Sequence, residues 1–265
     1  MRHVLRYARL LGIQLRTSLV LSMQYRADFL LDGFIEGCWM ATAIIPLYVV
    51  FRVEPSIAGW SFGEALMVMG WFTFLQGVLE GAINPSLVTV VEHIRKGTLD
   101  FVLIKPADAQ FLVSTARFLP WRCVNMVTAL GVFAWGFRVL GRGPTALDVA
   151  LSAVTIGAAV AILYSLWIIT VASAFYFVLI DKLSQLFSAV FDAARWPADV
   201  FRGALRGVFT FVLPLAVMTT TPAEALLGHL RPAAFAGALA GAGLALLLSR
   251  LVWTRSIARY TSAGG

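Results

Sequence analysis

Residues 92–111 read EHIRKGTLDFVLIKPADAQF. Seven ionisable groups crowd this stretch, which lies between two long apolar runs. That contrast decides the fold class. The chain has 265 residues, 60% hydrophobic and 13% charged, with a mean hydropathy of +0.83. A soluble domain of that length needs more polar surface to cover its core. Several runs reach the roughly 20 residues that a helix needs to cross a bilayer. The expected class is an all-α polytopic membrane protein. A β-barrel would instead show spans of roughly ten residues that alternate in polarity.

Six transmembrane helices are expected, at about 29–51, 62–83, 119–137, 147–180, 205–227 (broken) and 233–253. They make a single transmembrane domain over 29–265. Ahead of it, residues 1–28 carry Val4, Leu5, Ala8, Leu11, Leu15 and Leu19 at helical spacing, with Arg2, Arg6, Arg9 and Arg16 mostly off that stripe. The pattern suits an amphipathic helix in the inner interface, arginines toward anionic headgroups. It also suits an amphipathic helix packed on the rest of the chain. Five arginines spread over this segment argue against a cleavable leader.

Lysines and arginines set the orientation. With the N-terminus inside, 17 of the 21 basic residues fall in inner segments, Arg195, Arg202 and Arg206 among them. Only Arg52, Arg138, Arg142 and Arg231 fall outside. Both termini and residues 92–111 are therefore expected in the cytoplasm. The same distribution explains the net charge of +7 without a nucleic-acid partner.

Ser61-Phe62-Gly63-Glu64 and Thr145-Ala146-Leu147-Asp148 have capping-box spacing at outer helix starts. Thr221-Pro222-Ala223-Glu224 repeats it, with proline at the first helical position, eight residues after Pro214. The fifth span then reads as a short crossing over about 205–219, followed by a small outer helix over 222–227. Leu183, Leu186, Phe187, Val190 and Phe191 form another apolar stripe. It suits either an inner-surface helix or the end of a long hairpin.

No catalytic cluster emerges. His3, His93 and His229 are the only histidines, no HExxH pair occurs, and Gly141-Arg142-Gly143-Pro144 lacks the lysine of a phosphate loop. No cofactor or metal site is expected in this chain; if ATP powers it, another chain binds the nucleotide. Cys38 and Cys123 match no metal spacing and suggest a buried structural role. Asp32 and Glu36 form an i,i+4 pair about two turns into the first span. They read either as a polar lining that contacts Arg117 or Arg122, or as acids on a tilted helix.

Around the opening stretch, Asn84 and Pro85 suit a new helix start. Leu87, Val88, Val91 and Ile94 share one face, while Glu92, Arg95 and Lys96 point elsewhere. Gly97 ends that helix, Thr98–Leu103 reads as extended, and Lys105-Pro106 turns the chain. Residues 84–111 thus form a mixed-polarity knob suited to docking another protein.

RKGTLDFVLIKP at 95–106 resembles the segment after the second span in membrane subunits of type-2 ATP-binding-cassette (ABC) transporters, among their six-span permeases. ARWPADVFRGALRGVFTFVLPLAVMTTTPAEALLG at 194–228 and the terminal RYTSAGG at 259–265 resemble the same group. The resemblance implies a permease of an ATP-driven exporter, moving a drug-like, antibiotic or lipidic substrate across the prokaryotic inner membrane. It implies two cytoplasmic ABC ATPase subunits that bind ATP and Mg, and a second permease subunit, identical or different. It makes 84–96 the coupling helix, the N-terminal helix an interfacial elbow, and 219–230 the broken outer part before the last span. The alternatives are an ion-coupled secondary transporter using Asp32 and Glu36, and a membrane scaffold without transport.

Overall fold

The computed structural model describes residues 2–22, 26–176, 191–201, 203, 207, 209 and 214–260; at 2–4, 26–30, 32, 33 and 36 it describes the backbone alone. Ten α-helices are described: α1 Arg2–Ser22, α2 Arg26–Val53, α3 Phe62–Val78, α4 Asn84–Arg95, α5 Asp100–Leu103, α6 Ala109–Ser114, α7 Cys123–Leu140, α8 Ala146–Ala172, α9 Thr221–Leu226 and α10 Pro232–Ile257. Two π-helical segments, Leu79–Ile83 and Ala216–Thr220, run directly into α4 and α9.

Among the described residues, four helical stretches are long and apolar enough to cross a membrane: Phe62–Arg95, Pro120–Leu140, Ala146–Phe175 and Pro232–Ile257. The shorter apolar stretch Gly37–Val53 belongs to α2. Phe34, Trp39, Leu244 and Leu247 lie exposed on α2 and α10, as apolar side chains facing lipid do.

Between helices in lipid there is little hydrophobic drive, so close packing depends on small residues. Gly63, Gly70 and Gly77 recur every seven residues along α3 and form its seam with the antiparallel α7. A Cβ at Gly70 would come 2.4 Å from Phe133, and one at Gly63 2.7 Å from Leu140. Reciprocally, a Cβ at Gly136 of α7 would meet Met67 at 2.2 Å. On α10, Ala238, Ala242 and Ser249 are buried, and α10 packs along α8.

The bundle has two distinct ends. At one, Ser61 caps α3 and Thr145 caps α8, each in a complete capping box with Glu64 and Asp148. His229 joins them, with Nε2 3.3 Å from Arg142 and Nδ1 4.0 Å from Glu64. We call this the far end. Arg95, Lys96, Arg117 and Arg250 gather at the other, the basic end.

Four local expectations give way to tertiary structure. Asn84 does not start a helix: it has helical φ and ψ of −60° and −46°, and α3, the π segment and α4 form one helix of 34 residues. Proline normally disfavours a helical residue before it and removes the N–H that would bond four residues back. Here the π segment relieves the crowding, and the N–H of Leu119 donates 2.8 Å to the carbonyl of Gly81 left free by Pro85. Thr221 likewise does not cap α9. It is helical, and its hydroxyl donates 3.2 Å to Ala216, so the helix is unbroken across 219–222.

Thr98–Leu103 is not extended. Asp100–Leu103 makes a helical turn, because Leu99 is fully buried and Val102 and Leu103 pack on the same core at helical spacing. Cys38 and Cys123 are both free and exposed, not buried.

A fifth correction concerns depth. Phe175 packs near Trp253 and Tyr260 at the basic end. Phe191 packs on Phe72, about 15 Å along α3 from its far end. Trp60 Nε1 then donates 3.3 Å to Asp199, already at the far end. The chain has therefore reached the far end before the residues expected to begin the fifth span. Arg195 does not belong with the basic-end segments: its guanidinium lies 5.5 Å over the Phe72 ring, with Asp192 3.3 Å away. The stripe at 183–190, Arg202 and Arg206 lie outside the described residues.

Candidate functional site: a helical knob and the cleft beside it

The long helix Phe62–Arg95 measures about 51 Å, against a hydrocarbon core of about 30 Å. Its last turns therefore project at the basic end, where the chain stops sharply. Gly97 takes φ +65°, its N–H donates to Ile94, and the N–H of Thr98 donates to His93, the bonding of a Schellman cap. His93 Nδ1 and Thr98 Oγ1 lie 2.8 Å apart and brace the stop.

Leu87 and Val91 are buried and Ile94 packs on the same core, as the spacing predicts, but Val90 completes that face. Val88 does not; it is 47% exposed. Glu92, Arg95 and Lys96 are exposed, and Lys96 Nζ stands 3.3 Å from Glu92. Phe101 and Ile104 project from the α5 turn, 66% and 77% exposed. The knob thus exposes both charge and two large apolar side chains.

Its base is tied to the bundle by a polar hub that sequence reasoning missed. Asp108 caps α6 through Phe111 N–H and takes a two-pronged contact from Arg250 of α10, at 2.5 and 3.1 Å. Arg250 also donates 2.9 Å to Gln110, which donates 3.1 Å to Tyr164 of α8. The N–H of Asp108 donates to Tyr7 of α1 at 3.0 Å. Burial works against ionisation of Asp108, but the Arg250 hydrogen bond and the Phe111 N–H outweigh it, so its pKa lies below the ordinary value. Ser86 Oγ and the Arg117 backbone bond reciprocally, at 2.6 and 3.0 Å.

α1 lies against this base through a narrow face. Ser18 is buried and accepts from Phe118 N–H at 3.1 Å, and Arg6 donates to Pro106. Leu5, Leu15 and Leu19 of its apolar stripe remain exposed. One face of this helix thus packs on the chain, and the stripe does not.

Beside the π segment lies a cleft of about 600 Å³, bordered by Asn84, Thr89, Glu92 and Arg117. Glu80 crosses it to Arg122 Nη1 at 2.9 Å and accepts from Gln76 at 3.3 Å. The backbone of Asp32 and Glu36 lies on α2; their side chains, and so any contact with Arg117 or Arg122, lie outside the described residues.

At the far end, Glu224 borders a small cavity with Glu64, Asp199, His229 and Arg231. Pro214 opens the helix that continues into α9, its carbonyl accepting from Val217 and Met218. Thr221 and Pro222 are buried inside that helix. Among the described residues, no group of three or more His, Cys, Asp or Glu is placed to hold a metal ion.

The model of the family described as ABC-2 family transporter protein matches residues 38–264. No curated protein and no solved structure matches the chain.

Proposed function

The chain belongs to the ABC-2 transporter family, and on that premise we propose that it is the permease subunit of an ATP-driven exporter. It is a polytopic helical membrane protein of permease type. In this reading the chain sits in the prokaryotic plasma membrane with the basic end and both termini facing the cytoplasm and the far end the outside. Two separate ABC ATPase subunits bind ATP and Mg, and a second permease, a copy or a relative, completes the pathway. The cargo is a drug-like, antibiotic or lipidic molecule.

The unbroken helix Phe62–Arg95 carries the proposal. A docking knob joined to a span by a flexible loop would lose displacement to the loop. Continuous helix carries a push on Glu92, Arg95 or Lys96 into the α3–α7 seam. The face of Leu87, Val91 and Ile94 anchors the lever; the exposed side, with Val88, meets the ATPase. α1 is the elbow that lies in the inner interface, and the Pro214–Glu224 segment lines the outer part of the path.

Two experiments test this. Affinity purification in mild detergent, with mass spectrometry and an ATPase assay, should recover an ABC ATPase subunit. Recovery of the chain alone, with lipid and nucleotide present, would overturn the ATP-driven reading. Gly97→Pro cannot adopt the positive φ of the stop and should abolish the coupling of ATPase activity to transport while leaving membrane insertion intact. Unchanged coupled transport in that variant would remove the knob from the mechanism.

A further inference from the structure

The cleft beside the π segment does not end at Glu80. A second cavity of about 320 Å³ shares Gln76, Glu80, Arg122 and Asp192 with it and continues among Trp39, Met40 and Phe72. The two together grade from a polar mouth at Glu92 and Arg117 to an aromatic and apolar interior bordered by α2, α3 and α7. We propose that this cleft binds an electroneutral amphiphile, its polar group between Asn125 and Gln76 and its apolar body against Trp39 and Phe72. The proposal rests on the permease reading above and narrows the class of molecule carried.

Asn125 supplies the independent sign of a ligand. Its side chain lines the inner cavity and is 3% exposed, and among the described residues its Nδ2 has no hydrogen-bond partner. A buried unsatisfied donor costs about 1–3 kcal/mol, so such groups are rare where they serve packing alone. Leucine branches at the same carbon with the same number of side-chain heavy atoms and would avoid that cost. An amide kept there is explained by an acceptor oxygen that arrives with a ligand. Gly77 makes room for it: a Cβ at that position would stand 3.1 Å from Asn125 Cβ.

The charges around the cleft select the class. Glu80 is paired with Arg122 at 2.9 Å, and Asp192 with Arg195 at 3.3 Å. Beside Asn125 and Gln76 the charged groups of the inner cavity already form these pairs, so a charged head there competes with a pair that is in place. An uncharged or zwitterionic head leaves both pairs intact and offers its oxygens to Asn125 and Gln76. Trp39, 67% exposed and bordering the cavity, provides a broad apolar contact for the tail.

The test uses the full chain in nanodiscs and three amphiphiles with identical brominated twelve-carbon tails. Their heads are phosphocholine, sulfate and trimethylammonium. Quenching assigned to Trp39, by difference from Trp39→Phe, should saturate for the phosphocholine probe at concentrations at least tenfold below those for the charged probes. Asn125→Leu should weaken that binding about tenfold while its Tm stays level or rises, since the orphan donor has gone. Gln76→Leu, at the edge of the cleft, should weaken it less and guards against misfolding of the first variant. Quenching that never saturates, equal quenching by all three heads, unchanged binding in Asn125→Leu, or preference for a charged head would each overturn the proposal.

An ATPase assay on the co-purified complex separates two sources of the same chemistry. Stimulation by the phosphocholine probe marks a transported molecule; saturable binding without stimulation marks a resident bilayer lipid in the same site. Binding that persists when no ATPase subunit co-purifies would break the permease reading and leave the cleft standing.

Discussion

Leu79–Ile83 and Ala216–Thr220 are the same local device in two settings. Each is a π turn followed by one helical residue and a proline, Asn84-Pro85 or Thr221-Pro222. The second is bonded on every side. Thr219 Oγ1 donates 2.9 Å to Ala194, Ser152 Oγ 2.8 Å to Pro222, and the N–H of Ala198 3.1 Å to Thr220. The first has one packed wall, Leu79 and Ile83, and one wall of half-buried residues on an open cleft. Its free carbonyl is held by one bond, from Leu119. One device makes a fixed corner where several neighbours bond to it, and an open-sided turn where a single bond holds the freed carbonyl.

The largest effect should come from loosening the fixed corner. Thr219→Val combined with Ser152→Ala removes two buried hydrogen bonds and should cost roughly 2–3 kcal/mol, read as a lower unfolding midpoint in detergent. Loss below about 0.5 kcal/mol would erase the contrast between the two segments.

A smaller effect belongs to the hub at the base of the knob. Asp108→Asn should destabilise by about 1 kcal/mol at neutral pH, discounted for the partial exposure of both partners. The folded pKa of Asp108 is lowered, so its contribution is complete above the ordinary value of 3.8 and is lost as pH falls below it. The gap between wild type and variant should therefore close on acidification below that value. A gap independent of pH would mean that Asp108 acts by packing and not as an ion pair.

The least effect on stability, and the most informative about motion, is expected for Pro85→Ala. It restores an N–H that competes with Leu119 for the Gly81 carbonyl. Stability should change by less than about 1 kcal/mol, while amide hydrogen exchange across residues 79–88 slows. Pro222→Ala should change exchange in its own segment less. The reverse ranking would make the far-end segment the more loosely held of the two.

Much of this architecture could be read residue by residue because its causes are local. The caps at Ser61 and Thr145 need only a hydroxyl and a carboxylate three residues apart, and the stop at Gly97 only a residue that tolerates positive φ. The glycine seam was also open to reading, in the seven-residue spacing of Gly63, Gly70 and Gly77. The hub of Asp108, Arg250 and Tyr164 was not, since its members lie far apart in sequence and meet only when α6, α8 and α10 pack.

By itself, then, the sequence determined a helical membrane protein with most positive charge at one end and a charged knob between two spans. Hydropathy, charge and capping act over a few residues, so these needed no partner. Only tertiary structure decided that Pro85 and Pro222 sit inside continuous helices, and that the chain at Arg195–Asp199 climbs along α3 to the far end. A proline kinks or breaks a helix unless its surroundings compensate, as a partner for the freed carbonyl does at Pro85. An apolar segment has a depth only once its neighbours are in place. For Pro85 that partner is the N–H of Leu119, 34 positions along the chain from the proline.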